Sequence, residues 1–469
     1  GTALIYTSKS KIYDGRFLND FSKYIDLCVR IEDEAAIKIT DELKSYIGAS
    51  SDSEDKRSTL IQMMERGVVI HHGSMPLKAR LLVERFIRLG YAKICLSTST
   101  LAQGINMPFD VVWIDNFKNM SELTLKNLIG RSGRTRKDRP EFDFGYTVIK
   151  AANVKTFIER ISKDVELTNV SPLDNDLSEI DADYNDIVDA VKNDTFNDDM
   201  HLPEAQIERI RKADVAPDVK YVLDNLMEGN RLKTADEYYE LTDHFRGKIK
   251  KAIKKLYCNH LRRSTLTSAE QAVVSAAIPI MLWHVQGTSF SQIVSMRHSF
   301  ISKRDERTAI NRAIRNGDIT ATEGSEQLNA LKVRGSPNPF SLPNIKEHRS
   351  YIYSATTSVL DIEYDKIVYD TYDYLDKVIS QSISDPLCAV FQVYYQEVKQ
   401  DPRALAIQNY IRFGTNEEVA IWLLKYGIDP EDIEWLKKHI ASVDEKNIEF
   451  KDSILDEPLE RLESVERYI

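Results

Sequence analysis

Apolar and polar positions along the first third of the chain alternate between two periods. Short apolar runs at Ala3–Tyr6, Val68–His71, Lys93–Ser97, Val111–Ile114 and Tyr146–Ile149 have the length of buried strands. Between them, Leu77–Leu89 and Leu123–Ile129 place their apolar residues at helical spacing. Strand and helix in turn predict a parallel sheet covered by helices over residues 1–160. The polar segment Ser50–Lys56 reads as a loop. The chain opens directly on the first strand, so a piece of a longer protein is expected.

The pattern then changes. Residues 163–200 hold twelve acidic and two basic side chains, with Pro172 and several Asn-Asp turns. They read as an acidic linker over 161–202, or as an arm that docks on a basic partner surface. From Pro203 onward helical spacing dominates, in Pro203–Met227, Ala235–Leu261, Ser268–Leu282, Ser350–Ser380 and Pro386–Val398. The Pro- and Gly-bearing stretch Arg334–Pro343 divides this part into expected helical domains at 203–333 and 334–469.

Composition adds limits rather than an identity. A chain of 469 residues is too long for one core. No apolar run approaches the roughly 18 residues of a membrane span, and no signal peptide opens the chain. A cytoplasmic protein without a membrane partner is therefore expected. Cys28, Cys95, Cys258 and Cys388 form no C-x-x-C pair and read as reduced thiols. The net charge of -10 does not advertise nucleic-acid binding, although a local channel can hold a strand on an acidic protein.

Three short motifs carry the chemistry. Leu4-Ile5-Tyr6-Thr7-Ser8 is a strand running into a polar turn. Val69-Ile70-His71-His72-Gly73 precedes Ser97-Thr98-Ser99-Thr100-Leu101-Ala102-Gln103-Gly104-Ile105-Asn106-Met107-Pro108. Asn127-Leu128-Ile129-Gly130-Arg131-Ser132-Gly133-Arg134 comes last. Open α/β sheets bind ligands at the carboxyl ends of their strands. Hydroxyls and backbone N–H groups of Ser97, Thr98 and Thr100 could bond phosphate oxygens there without sequence preference. Arg131 and Arg134, three residues apart, could share a helix face and clamp a triphosphate. Taken singly, each fragment is also compatible with a plain strand end or a basic turn, and the His71-His72 pair has no ligand-spaced companion for a metal.

In order and spacing, the three resemble motifs IV, V and VI of superfamily 2 helicases, with the His-His-Gly segment of the Ski-like DExH/DEAD-box class. The resemblance covers about residues 1–150. It implies a second RecA-like domain and a helicase role, with single-stranded DNA or RNA as partner. It puts Thr7, Ser8, His72, Gly73, Ser97, Thr98 and Thr100 on the nucleic-acid backbone. By the same resemblance Gly104, Asn106, Asn127 and Gly130 lie toward the nucleotide, and Arg131 and Arg134 reach its γ-phosphate as arginine fingers. The family usually has Gln where this sequence has Asn127, which keeps the amide on a shorter arm. By analogy the region after the linker has room for a winged helix and a helical bundle, and its tail for an effector protein such as a nuclease.

No G-x-x-x-x-G-K-[ST] and no credible D-E-x-H strand end occur in the sequence. Glu32-Asp33-Glu34-Ala35 has the wrong order and reads as a solvated helix face. ATP and Mg2+ would then be bound mainly by a first RecA-like domain that this sequence does not contain. The alternative is a non-catalytic nucleic-acid-binding or partner-docking scaffold that keeps the fold. Two features of the helical part stay open between structure and function. The basic series from His244 to Arg263 reads as an amphipathic surface helix or a channel wall. Trp283 and His284 read as core or as a base-stacking platform.

Overall fold

A computed structural model describes residues 1–98, 107, 109–118, 120–133, 144–164, 182–343, 351–428, 432–458, 461–462 and 465. Its chain contacts separate two compact units that interleave along the sequence. An α/β unit comprises Gly1–Asn175, Phe290–Ser336 and Tyr351–Asp376; a second comprises Asp176–Ser289, Pro337–Ser350 and Lys377–Ile469.

The α/β unit is RecA-like. Strands β1 (Ala3–Tyr6), β2 (Val68–His71), β3 (Ile94–Ser97), β4 (Val111–Ile114) and β5 (Tyr146–Ile149) form one sheet in the order β2-β3-β1-β4-β5. Every pairing is parallel. Its principal helices are α1 (Lys9–Tyr13), α2 (Glu34–Ile47), α3 (Thr59–Met64), α4 (Leu77–Arg88), α5 (Glu122–Ile129), α6 (Val154–Ile161), α7 (Phe290–Ile301), α8 (Arg304–Asn316), α9 (Ala321–Ala330) and α10 (Tyr364–Asp373). All residues of β2 and β3 are buried, as helices on both faces require, so these strands are unbroken apolar runs. Each boundary expected for a strand agrees within a residue. Asp33 is exposed, as read from sequence, and also caps α2 by accepting from the backbone N–H groups of Ala35 and Ala36.

The sheet's core is completed from far along the chain. Phe290, Val294, Tyr364, Ile367, Val368 and Tyr372 belong to the same buried cluster as Leu4, Val69 and Leu96. Helix α7 packs against α2 and α10, and α10 against α1. The Tyr364 hydroxyl donates to Ile47 O at 2.8 Å. Asp365 accepts from Ser58 Oγ at 2.6 Å and from Leu60 N at 2.8 Å, tying α10 to the start of α3. Arg297 forms a buried ion pair with Asp370 and donates to Thr371 Oγ1 at 2.8 Å. The helix expected from Ser350 begins only at Tyr364. In the segment before it, Ser354 Oγ accepts from Thr356 N and Ser358 Oγ from Leu360 N. These side chains offer the backbone a local alternative to helix.

The second unit is mostly helical, with helices Ala182–Asn193, Glu204–Lys212, Ala216–Leu226, Asp243–Cys258, Ser268–Val285, Ser384–Val393 and Pro402–Phe413. Ser268–Val285 is apolar on most sides, and Val274, Ala277, Ile278, Met281 and Leu282 are all buried. Acidic and basic stretches meet here. Asp186 pairs with Arg209 and Arg262, both at 2.5 Å, and Asp183 with Arg263 at 3.2 Å. Arg263 also holds the fully buried Glu270 at 2.6 Å. Two of the twelve acids in 163–200 thus serve this chain's own basic segment. Leu423, Ile433, Leu436, Ile440 and Ile448 form a small separate core near the end, with Leu424 and Trp435 packed against it.

Candidate nucleic-acid and nucleotide site

The five parallel strands end on one register line. His71 is level with Ser97, Ser97 with Tyr6, Tyr6 with Ile114, and Ile114 with Ile149. The next residue of each strand therefore stands in a row across the carboxyl edge: His72, Thr98, Thr7, Asp115 and Lys150. This is the edge where open α/β sheets bind ligands. Three of the residues expected on the nucleic-acid backbone, His72, Thr98 and Thr7, are brought together there.

Their surroundings differ. Thr98 is half-buried. Thr7 is buried, and its hydroxyl donates to Asp115 Oδ2 at 3.2 Å. Ser8 caps α1 by accepting from Lys11 N. Ser97 is fully buried and its hydroxyl donates to Thr98 O at 3.0 Å, so its side chain is spent inside the fold. His72 is 1% exposed, with its ring edge-on to Tyr13 and Tyr369. Gly73 lies in the turn that follows it. His71 Nε2 sits 3.1 Å from Glu84 Oε1. Thr100, Gly104, Asn106 and Arg134 lie outside the described residues.

The third motif lies at the other end of the strands. Helix α5, capped by Ser121, carries Asn127 on an exposed face and ends at the exposed Gly130. Arg131 follows and is 7% exposed. Gly133 then donates its N–H to Phe109 O at 2.8 Å, beside a parallel bridge between Phe109 and Ser132. Phe109 precedes the first residue of β4, so this turn is pinned at the amino edge of the sheet. Thr98 stands at the carboxyl edge and Phe109 at the amino edge. Gly133 has φ +68°, and a Cβ there would lie 2.5 Å from Gly145 Cα. No side chain can occupy that approach.

Sequence reading missed Asp115, Lys11 and Lys150. Asp115 is 5% exposed and accepts from Lys11 Nζ at 2.9 Å and Lys150 Nζ at 2.7 Å. Burial alone would push its carboxyl up, but the two ammonium groups outweigh that and hold it below the ordinary carboxylate range. The strand ends in Ile114-Asp115-Asn116, and an acid at a carboxyl edge was the available signal. Among the described residues no cluster of three His, Cys, Asp or Glu could hold a metal ion. No described helix is long and apolar enough to cross a membrane. The four cysteines are free thiols.

In the helical unit the basic series is partly committed. Arg262 and Arg263 serve buried acids, Lys255 pairs with Asp218 at 2.5 Å, and Arg246 pairs with Asp243. Lys250 and Lys254 are half-buried, which lowers both ammonium pKa values. Trp283 is 7% exposed and stacks with the exposed Tyr239.

No protein-family model matches the chain. A stretch of 107 residues, 21% of the chain, is 32% identical to the human probable ATP-dependent DNA helicase HFM1 and covers 7% of that protein. The mouse protein of the same name is 35% identical over 107 residues, again 21% of the chain and 7% of the relative. Over 136 residues, 27% of the chain, it is 26% identical to the ATP-dependent DNA helicase Hel308 of Thermoplasma acidophilum, covering 19% of it. The matched stretches thus span less than a fifth of these relatives. Partial as they are, they relate the chain to superfamily 2 helicases.

Proposed function

We propose that the chain is the C-terminal portion of an ATP-dependent helicase or translocase of the Ski-like DExH class, acting on single-stranded DNA or RNA. In this reading Ser8, Gly73, Thr98 and Thr100 meet the strand's backbone, while Thr7, His72 and Ser97, all buried, hold that edge from within: the Thr7 hydroxyl is bonded to Asp115 and the Ser97 carbonyl accepts from Thr7 N. Gly104, Asn106, Asn127 and Gly130 face the nucleotide. Arg131 and Arg134 meet the negative charge that develops on the γ-phosphoryl oxygens. The groups offered to the nucleotide are cationic or amide, so they suit phosphate oxygens and not Mg2+. The metal and the β- and γ-phosphates fall to a first RecA-like domain. ATP would supply the free-energy difference between closed and open arrangements of the two domains.

The observation that carries this reading is the placement of the motifs on one sheet. Thr98 and Thr7 stand side by side at its carboxyl edge and a pinned Gly-Arg turn stands at its amino edge. A winged helix within 203–333 belongs to the same reading, and an effector protein docked on the helical tail is the alternative for that part of the chain.

A second reading is a non-catalytic scaffold that binds nucleic acid or docks a partner. Burial of Arg131 and the Asn at position 127 favour it. Strand-stimulated ATPase activity of the protein carrying its first motor domain separates the two. Arg134→Ala should lower turnover roughly 10²-fold or more if that guanidinium completes the site. Turnover that is unchanged by the substitution, or absent from both proteins, would move the conclusion to the scaffold.

A further inference from the structure

The row of residues at the carboxyl edge does not stop at the threonines. From Thr98 it passes Thr7 and Asp115 and ends at Lys150, on four neighbouring strands. Strands in a sheet lie ~4.8 Å apart, so the path from β3 to β5 is about 14 Å. A chain of phosphodiesters laid along this edge would pass over Asp115 before it reached β5. A buried carboxylate would repel it unless its charge were covered.

The structure covers it twice. Lys11 Nζ and Lys150 Nζ lie 2.9 and 2.7 Å from different oxygens of Asp115, and the Thr7 hydroxyl adds a third contact. Lys11 divides its charge between Asp115 and the exposed Asp20, at 2.5 Å. Lys150 is 52% exposed, and Asp115 is its sole acidic partner among the described residues. An ion pair this open contributes little to stability, and sinking the carboxylate costs desolvation. What the arrangement does achieve is to fix two flexible lysine side chains at one place on the ligand-binding edge. Lysine acts on phosphate as a point charge without base preference, as a translocating strand requires.

We propose that Asp115 is a positioning residue that sets Lys11 and Lys150 as contacts for a phosphodiester of the strand held at Thr98 and Thr7. This rests on the reading of the carboxyl edge as the strand-binding edge. Lys150 is the outer contact and Lys11 the inner one.

The test measures binding of the 469-residue chain to a fluorescein-labelled oligothymidylate by anisotropy across a salt series. Lys150→Ala should lower the magnitude of the slope of log K against log salt by about 0.7, the single-strand value for one phosphate contact, and Lys11→Ala likewise. Lys150→Arg should retain the slope. Asp115→Asn should weaken binding with both lysines still present, a change that Lys150→Arg does not produce. Thermal melting checks each variant's fold. Should Asp115→Asn fail to fold, the half-exposed Lys150→Ala still decides the matter. Weakened binding in Thr98→Val, with slopes unchanged in both lysine variants, would overturn the dyad and leave the strand-binding edge standing. A wild-type chain that does not bind the oligonucleotide would overturn both.

Discussion

Two glycines three residues apart in the third motif should respond oppositely to the same substitution. Gly133 has φ +68°, in the left-handed region, where a side chain costs about 1–2 kcal/mol. The added Cβ would stand 2.5 Å from Gly145 Cα and N, and 3.1 Å from Phe144 C. All three are backbone atoms, so the two segments must part by at least half an ångström to reach the 3.0 Å that real Cβ atoms keep. Parting them endangers the Gly133 N–Phe109 O bond at 2.8 Å, worth about 1 kcal/mol. Gly133→Ala should therefore destabilise the α/β unit by about 2–3 kcal/mol. Gly130 has φ −62°, and a Cβ there would meet only Lys126 O at 3.5 Å and Asn127 O at 3.6 Å, ordinary contacts. Gly130→Ala should be neutral, or stabilising by up to about 1 kcal/mol through the unfolded chain. Urea denaturation of the two variants, followed by an α/β-unit tryptophan such as Trp113, reads the difference. If Arg134 completes an ATP site as proposed, Gly133→Ala should also lower strand-stimulated turnover of a protein that carries both motor domains, on the order of 10²-fold, because Arg134 is the next residue and a displacement of about 1 Å is enough. Equal midpoints for the two variants, or a more damaging Gly130→Ala, would refute the reasoning.

Asp186→Ala should destabilise the helical unit by about 2 kcal/mol, at the low end for a buried pair because Arg209 and Arg262 keep some access to water; denaturant midpoints check this, and a loss below about 0.5 kcal/mol would contradict it. Burial pushes the His260 imidazole down to about 4, from an ordinary 6.5. A base depressed on folding contributes fully above the unfolded value and loses that contribution as pH falls toward the folded one. Between pH 7.5 and 5 the helical unit should therefore lose about 2 kcal/mol, and His260→Gln should flatten that dependence. Asp365 and Asp370 have the opposite sign: burial raises both to about 6, so their contribution is lost as pH rises from 4 toward 6, and Asp365→Asn should shrink that loss in the α/β unit's melting curve. A chain cut after Ser289 should not yield a cooperative α/β unit by hydrogen exchange, because each large side chain lost from α7 and α10 removes about 1.5–3 kcal/mol of burial.

The sheet was legible in the sequence for a physical reason. Strands covered on both faces cannot alternate, so Val-Val-Ile-His and Ile-Cys-Leu-Ser stand out as apolar blocks between polar turns. Which residues stand at their ends was legible too, because a parallel strand delivers its following residue to a known edge. What could not be read depends on partners remote in sequence. Asp115 looks like any loop acid until Lys11 and Lys150 are folded onto it. Tyr364–Asp373 carries three aspartates, and in isolation such a helix reads as half-solvated. Asp365 is instead spent on the start of α3 and Asp370 on Arg297. Asp183 and Asp186 sit in a stretch whose charge density says linker, yet both are buried against arginines up to 80 residues away. Burial of an acid is decided by its counter-charge, and one-dimensional charge patterning does not show where that lies.

The same long-range packing bears on how the candidate strand site works. Lys9, next to Ser8, reaches Asp373 of α10 at 2.5 Å, and Asp373 is itself 4% exposed. Tyr13 of α1 stacks on Tyr369 of α10 with centroids 4.6 Å apart. His72, beside Gly73, sits against Tyr13, Tyr369 and Tyr372. The turns after β1 and β2 are thus clamped by a helix that enters the fold some 300 residues later. Turns held this firmly are already in place before any strand arrives. Binding then avoids the ordering penalty of about 0.5–1.5 kcal/mol for each side chain that would otherwise be immobilised. The helix also gives those turns a mechanical link: they cannot shift without breaking the Lys9–Asp373 pair, unstacking Tyr13 or carrying α10 with them. If this edge grips a strand as proposed, the packing couples it to a helix of the chain's distant second half.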